Sequence, residues 1–349
     1  GMLCLTLTLE AVMLISRRNL TLLASFGMLG LIGCAPASDK AGSGDAKPAS
    51  GDASSFKIGL ITPGKVNDGG WCQLAQDSVN AIAKETGATV TPAIEEPAKA
   101  EVEAAIRQLA EGGNTLVFLH GSEYDSPAAA VAKDFPNTTF VVVGGRSEGP
   151  NLLPLQISER EATYLAGYVA ASLSKTHKIA AVGGIDIKII KSGFDAYVAG
   201  AKAADPKVDV RVTYTGSFDD QAKAKQQTQA LLAAGVDVFT HNANAAGAGV
   251  AQAIEEDGKA LFIGANAPQT DLAPKQNVGA FVLDTQKGYL VAAKAVMDKK
   301  TDGKAFKLGI KDGATRFEFN RATASLYTPE LKAKVEGVSK DIEAGKVTL

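Results

Sequence analysis

In the stretch GKVNDGGWCQ, Asn67, Asp68, Gly69, Gly70 and Trp71 follow one another, and Trp71 is the only tryptophan of the chain. These residue types bind molecules rather than break bonds. A carboxylate accepts several hydrogen bonds, a carboxamide sets a donor beside an acceptor, and an indole offers an aromatic face to a flat ring. Similar material recurs further along: Tyr124 and Asp125 in GSEYDSP, Ser217 and Phe218 in TGSFDD, Asn242 and Asn244 in THNANAAGAG, Asn266 in IGANAP, and Phe194 and Asp284 singly. Each has an ordinary structural alternative. Trp71, Phe194 and Phe218 can plug a core, and Tyr124 can lie on the surface with its ring half covered. Asp68 and Asp284 can cap helices, and Asn242 and Asn244 can serve as turn residues in left-handed geometry.

Residues for catalysis or metal chemistry do not assemble. His120, His177 and His241 are the only histidines, and none stands at metal-ligand spacing from a cysteine or an acid. GGIDIK and GAGVAQ match neither the dinucleotide nor the P-loop pattern, and Ser122 lacks the Gly-x-Ser-x-Gly turn of an α/β hydrolase. Cys72 reads as a small buried helix residue. The expectation is a binding protein with no metal, no cofactor and no enzymatic activity.

The candidates fall at the ends of short β-rich runs. FKIGLIT, TVTPAI, TLVFL, TTFVVVGG and NLLPLQI read as strands, with helical runs at 71–86, 99–111 and 126–135 between them. In the second of these, Val102, Ala105, Ile106 and Leu109 share one face at helical period. The alternation then restarts: helix 160–174, KIAAVGG, helix 187–204, DVRVTYTG, helix 221–234, VDVFTH, helix 247–256 and KALFIGAN. This predicts an α/β fold of two lobes, each a parallel sheet flanked by helices, joined by several short hinge crossings. The expected boundaries are 56–157 plus about 284–304 for the first lobe and 158–283 plus about 305–349 for the second. Ligands of open sheets bind at the carboxyl ends of the strands, so two facing lobes frame one cleft that closes around its contents. Trp71, Tyr124 and Phe218 are expected to sandwich a ring there. Asp68, Asp125, Asn242, Asn244 and Asn266 are expected to fix its polar edges, with Asp284 adding a contact from the hinge. Asn67 shares with Asp68 the option of capping the helix that follows.

The chain has 349 residues with Lys plus Arg at 36 and Asp plus Glu at 38, a net charge of −2. That balance gives no basic surface for nucleic acid, and no recognition-helix motif is present. The opening segment differs from the rest. SRRNLTLLASFGMLGLIGC places two arginines before the nearly uncharged run 20–33, which ends at Cys34. As a helix that run reaches about 21 Å, short of the roughly 30 Å of a hydrocarbon core, so residues 1–33 are expected to be a signal peptide. Leu31-Ile32-Gly33-Cys34 resembles a bacterial lipobox, which makes Cys34 the expected lipidation site and 34–55, rich in Ala, Gly and Ser, a flexible tether. Ser16-Arg17-Arg18 leaves both the general and the twin-arginine export routes open. The folded body is thus expected to work outside the cell, anchored to a membrane.

Several segments in order resemble the basic membrane protein family of lipoproteins, the purine-nucleoside-receptor group of ABC-transporter substrate-binding proteins. They are KIGLITPGKVNDGGW, GSEYDSPAAAVAKDFPNTTFVVVGG, ISEREATYLAGYVAASLS, TYTGSFDDQAKAKQQTQALLAAGVDVFTHNAN, IGANAPQTDLAPK and IEAGKV. The resemblance implies a periplasmic-binding-protein fold of type I, and the chain is expected to act as a monomer. It also implies capture of a small molecule, often a purine nucleoside or base, for delivery to a membrane permease. Asp68 and Trp71 fall where that family has its first-loop acid and aromatic, Tyr124 and Asp125 where an aromatic precedes an acid, and Ser217 and Phe218 in a loop that often reads Ser-Trp or Ser-Phe. Two positions depart. Asn266 stands where the nucleoside receptors carry a sugar-binding carboxylate, and Leu283 where they carry a lysine, which removes the charged grip on a ribose.

Overall fold

A computed structural model of the protein describes residues 56–349; the leader, Cys34 and the tether expected over 1–55 lie outside the described residues. The first sheet begins with β1 (Lys57–Thr62), β2 (Thr89–Val90), β3 (Ile94–Glu95), β4 (Leu116–Leu119), β5 (Thr139–Val143) and β6 (Leu152–Ile157). Helices α1 (Trp71–Thr86), α2 (Val102–Glu111) and α3 (Asp125–Val131) alternate with these strands. The chain then passes to α4 (Glu159–Leu173), β7 (Lys178–Gly183), α5 (Lys188–Ala204), β8 (Asp209–Tyr214), α6 (Gln221–Ala233), β9 (Val238–Asn242), α7 (Gly247–Asp257), β10 (Leu261–Asn266) and β11 (Asn277–Leu283). It ends with α8 (Thr285–Met297), β12 (Phe306–Leu308), β13 (Thr315–Phe319) and α9 (Pro329–Glu343).

The strands form two sheets. The first runs β12-β6-β5-β4-β1-β2, with β3 also on β1, and is parallel throughout; the second runs β13-β11-β10-β9-β7-β8, with only β13 antiparallel. Buried on both faces, the central strands read as continuous apolar runs, such as Leu116–Leu119 and Phe140–Val143. The TVTPAI run does not make one strand. It pairs with β1 as two short pieces around Pro92, whose missing N–H cannot join a ladder. Pro154 lies inside β6 without penalty, because β12 joins β6 only from Leu155 onward and no partner there awaits its N–H.

Three crossings connect the sheets: after β6, after β11 and after β12. α8 returns to the first sheet, packing on α1 and β6. The return was expected to end near residue 304, yet Phe306–Leu308 still pairs with Leu155–Ile157 of the first sheet, so the last crossing falls after Leu308. A short apolar strand with a free sheet edge beside it extends the ladder in preference to leaving that edge bare.

In the second lobe α4 and α5 touch backbone to backbone. A Cβ on Gly167 would strike the carbonyl of Tyr197, and one on Gly200 the carbonyl of Tyr164. The contact packs Ala162, Leu165, Ala166, Phe194 and Tyr197 into one apolar cluster beneath the sheet. Gly200→Ala gains a little helix propensity but overpacks this contact. It is expected to lower stability by about 1–3 kcal/mol. Urea unfolding checks this; a variant as stable as the parent would show that the helices can part freely.

Candidate ligand-binding site

The site starts from the capping of α1. Gly70 precedes the helix and has no side chain to satisfy its first amides, so Asp68 does it from two residues upstream. Asp68 Oδ1 accepts from the N–H groups of Gly70 (2.8 Å) and Gln73 (3.1 Å), and Oδ2 from Cys72 N–H at 3.2 Å. Burial draws this carboxyl upward, but the hydrogen bonds from Asn244, Gly70, Gln73 and Cys72 together outweigh it and hold it below the ordinary carboxylate range. The Trp71 N–H is left over. It donates to Asn244 Oδ1 of the other lobe at 3.1 Å, while Asn244 Nδ2 donates to Asp68 Oδ2 at 3.0 Å. One side-chain amide of the second lobe therefore sits directly on the helix start of the first. Gly70 makes room for it, since a Cβ there would collide with Asn244 Oδ1.

Trp71 is set from behind by a histidine. Its ring stacks on His120 with centroids 4.0 Å apart and planes at 27°. The Trp71 carbonyl can only accept, so His120 Nε2 carries the proton of that 2.9 Å bond, and the bare Nδ1 takes the hydroxyl of Tyr289 at 2.8 Å. Burial pushes His120 down to about 3, against the Trp71 bond, so the imidazole is neutral at physiological pH. Tyr289 comes from α8, past the second crossing, and stacks in turn on Phe118 of β4.

The facing wall comes from the carboxyl ends of β9 and β10. Gln269 Oε1 accepts from Ala265 N–H at 2.8 Å and from His241 Nε2 at 2.9 Å, which fixes the tautomer of His241. Burial pushes His241 down to about 4, with the Gln269 bond opposing. Asn266 Nδ2 reaches Asn242 Oδ1 at 3.4 Å, and Asn242 Nδ2 donates to Glu159 Oε1 at 2.7 Å. Glu159, at the start of α4, is 9% exposed, and burial pushes its carboxyl up to about 7 against that hydrogen bond. Asn244 and Asn266 both have left-handed backbones (φ 48° and 64°), so they are turn residues and cleft residues at once.

Between the walls lies a cavity of about 100 Å³, lined among others by Trp71, Leu74, His241, Asn244, Asn266 and Gln269. No lysine or arginine is among the described residues that line it. Ligand pockets usually hold roughly 300 Å³ or more, so with Asn244 across it this cleft is shut too far for a whole nucleoside.

Of the residues singled out from sequence, Asp68, Trp71, Asn242, Asn244 and Asn266 meet at this cavity or one hydrogen bond behind it. The others sit elsewhere. Tyr124 is 3% exposed in the apolar cluster with Ile61 and Val117, and Phe194 is buried against α4, because a large ring gains more from full burial than from a cleft edge. Asp125 accepts from the N–H groups of Arg146 and Ser147 and from the Ser147 hydroxyl, which spends its carboxylate on bracing a loop. Asp284 caps α8 through Lys287 N–H, and the Ser217 hydroxyl accepts from the N–H groups of Asp219 and Asp220. Phe218 is half-buried over Gly184, and its carbonyl holds Ala246 N–H at 2.8 Å, beside the Asn244 turn. Asn67 is exposed and does not line the cavity. His120, Tyr289, Glu159 and Gln269 were not anticipated. The only sequence signal was the place of His120 at the end of TLVFLH, a strand end like that before Asp68.

Glu159 gives a pH test. Below about pH 4.5, its ordinary value, the carboxyl is protonated folded and unfolded; as pH rises towards 7 the unfolded chain releases its proton first, so stability is lost across that window. His120 and His241 act oppositely, since their folded values of about 3 and 4 lie below the ordinary 6.5, and their contribution is lost on acidification. Glu159→Gln is therefore expected to gain on the order of 2–3 kcal/mol relative to the parent between pH 4.5 and 7.5. Urea unfolding at several pH values reads this; a constant offset at every pH would contradict it.

Residues 55–346 match the family described as ABC transporter substrate-binding protein PnrA-like. The ABC transporter nucleoside-binding protein BmpA of Lactococcus lactis is 31% identical over 68% of this chain and 71% of its own. A purine-binding protein of Brucella abortus is 27% identical over 84% of this chain and 82% of its own. Among solved structures, an ABC transporter solute-binding protein from Aeropyrum pernix superposes with a TM-score of 0.76 at 20% identity, covering 84% of this chain and 92% of that one. One from Conexibacter woesei gives 0.71 at 26% identity, covering 84% and 98%. Two mostly parallel sheets facing across a polar cavity fit that architecture, and the chain belongs to the PnrA-like family of ABC transporter substrate-binding proteins, whose work is to carry a small solute to a membrane permease.

Proposed function

We propose that the solute is a neutral purine base or nucleoside, held between the lobes with the base as the main point of grip. The observation that carries this is the makeup of the cavity: one aromatic ring, Trp71, lines it with the side-chain amides of Asn266 and Gln269, neutral His241 and the acid Asp77, and with no cation beside them. Amides pair with both donors and acceptors of a base edge, and the absence of a lysine or arginine among the described lining residues disfavours a phosphorylated ligand. The purine and nucleoside named for the Brucella abortus and Lactococcus lactis relatives agree with this class. Leu283 is buried within β11 and Asn266 carries no charge, so little remains to seize a ribose.

Binding proceeds by population shift. Asp68 and Trp71 belong to the first lobe and Asn242 and Asn266 to the second, so a ligand that touches both sets stabilises the closed form. The permease reads that closure. The protein acts as a monomer, exported and tethered through a lipid on Cys34.

Because the chain has one tryptophan, its fluorescence reports on this site alone. Titration with guanosine, inosine, adenosine and their free bases is expected to give saturable changes, with bases within about tenfold of nucleosides and no response to ribose. Trp71→Ala, followed by calorimetry, is expected to weaken the base by about 2- to 10-fold, the worth of one stacked face. Tight ribose binding without base binding would overturn the proposal.

A further inference from the structure

Beside the cavity a donor and an acceptor of the first lobe serve one partner: the Trp71 N–H and Asp68 Oδ2. A single planar carboxamide from the opposite lobe fills both, with Asn244 Oδ1 on the N–H and Nδ2 on the carboxylate. The partners fix which atom of Asn244 is oxygen, because a backbone N–H only donates and an ionised carboxylate only accepts. Nothing else in the first turn competes for the pair. The N–H groups of Gly70, Gln73 and Cys72 already take the other accepting positions of Asp68, and Trp71 N–H has no partner except Asn244. Trp71 and Asn244 line the cavity with Asp68 one hydrogen bond behind it, and the missing side chain at Gly70 leaves the room that the Asn244 amide occupies.

We propose that Trp71 N–H and Asp68 read the hydrogen-bonding edge of the ligand, and that Asn244 is a built-in stand-in for that edge, which the ligand displaces. The chemistry selected is an acceptor next to a ring or exocyclic N–H, the pattern of an amide: C6=O beside N1–H in a 6-oxopurine, or C=O beside N3–H in uracil. An aminopurine fits when turned over, with its ring nitrogen on Trp71 and its amino group on Asp68. A base whose edge N–H is replaced by methyl does not fit, because it buries the Asp68 carboxylate against an apolar group. Asn244 competes from within the molecule, so the affinity measured for any ligand is reduced by the fraction of molecules in which Asn244 holds the pair. This inference rests on the ligand reading above for its purine examples, but the edge chemistry does not depend on the ring being a purine.

The test uses the full folded body and calorimetry with two matched series. Inosine is expected to bind at least tenfold more tightly than 1-methylinosine, and Asn244→Ala is expected to bind inosine several-fold more tightly than the parent. Equal binding of the methylated and unmethylated ligands overturns the edge reading. Weaker inosine binding by Asn244→Ala overturns the displacement, since it would make Asn244 a direct ligand contact. The methyl comparison needs no variant, so it stands even where Asn244→Ala folds poorly. Uridine against 3-methyluridine separates the two proposals: discrimination there without purine binding keeps the edge reader and rejects the purine class. Binding of neither series rejects both.

Discussion

The carboxylate of Asp68 organises the cleft. The loop that carries it is rich in glycine and has no side chain at position 70 to cap the helix, so the first amides of α1 depend on one acid placed two residues upstream. Asp68 takes the amides of the second and third helical positions, Cys72 and Gln73, as a cap does, adds that of Gly70, and passes over the first, Trp71. The Trp71 N–H is thereby turned outward, next to a carboxylate kept ionised by its own hydrogen bonds. A helix start of this kind favours an acceptor, and the acid beside it favours a donor. Both requirements are met in the closed molecule by Asn244.

The rest of the site keeps the cleft polar, with no lysine or arginine among the described residues that line it. His120 and His241 are buried, each donates through Nε2, and burial makes both neutral. Each holds a group that matters more than itself: His120 stacks under the indole and fixes the Trp71 carbonyl, and His241 orients Gln269 across from it. The support for Trp71 reaches it through Tyr289 on α8, a segment that arrives only after the chain has visited the second lobe and returned. The segment that follows the second crossing thus braces the aromatic ring from behind, through His120.

The local pattern of the chain made much of the fold legible. Alternating apolar runs of strand length and helices of period three to four gave two parallel α/β lobes, and α1 begins and ends where glycines on either side predict, at Trp71 and Thr86. The glycine-rich loops at strand ends pointed to the side of the sheets on which ligands collect. The same pattern was silent wherever two distant segments compete for one group. Tyr124 and Asp125 stand at a strand end just as Asp68 and Trp71 do, yet one ring is absorbed by the core and one carboxylate by the backbone of Arg146 and Ser147.

Sequence by itself determined the class of fold, the family, and the short list of acids, amides and rings from which a binding site could be made. These follow from local periodicity and from residue chemistry, which a linear reading can see. Only the tertiary structure decided which members of that list face one another. Asp68 and Asn244 meet from different lobes, and Trp71 at the start of α1 meets a histidine that follows β4 of the same lobe. Hydrogen bonds between residues 176 positions apart leave no trace in spacing or period, because they are set by how the two sheets come together across the hinge.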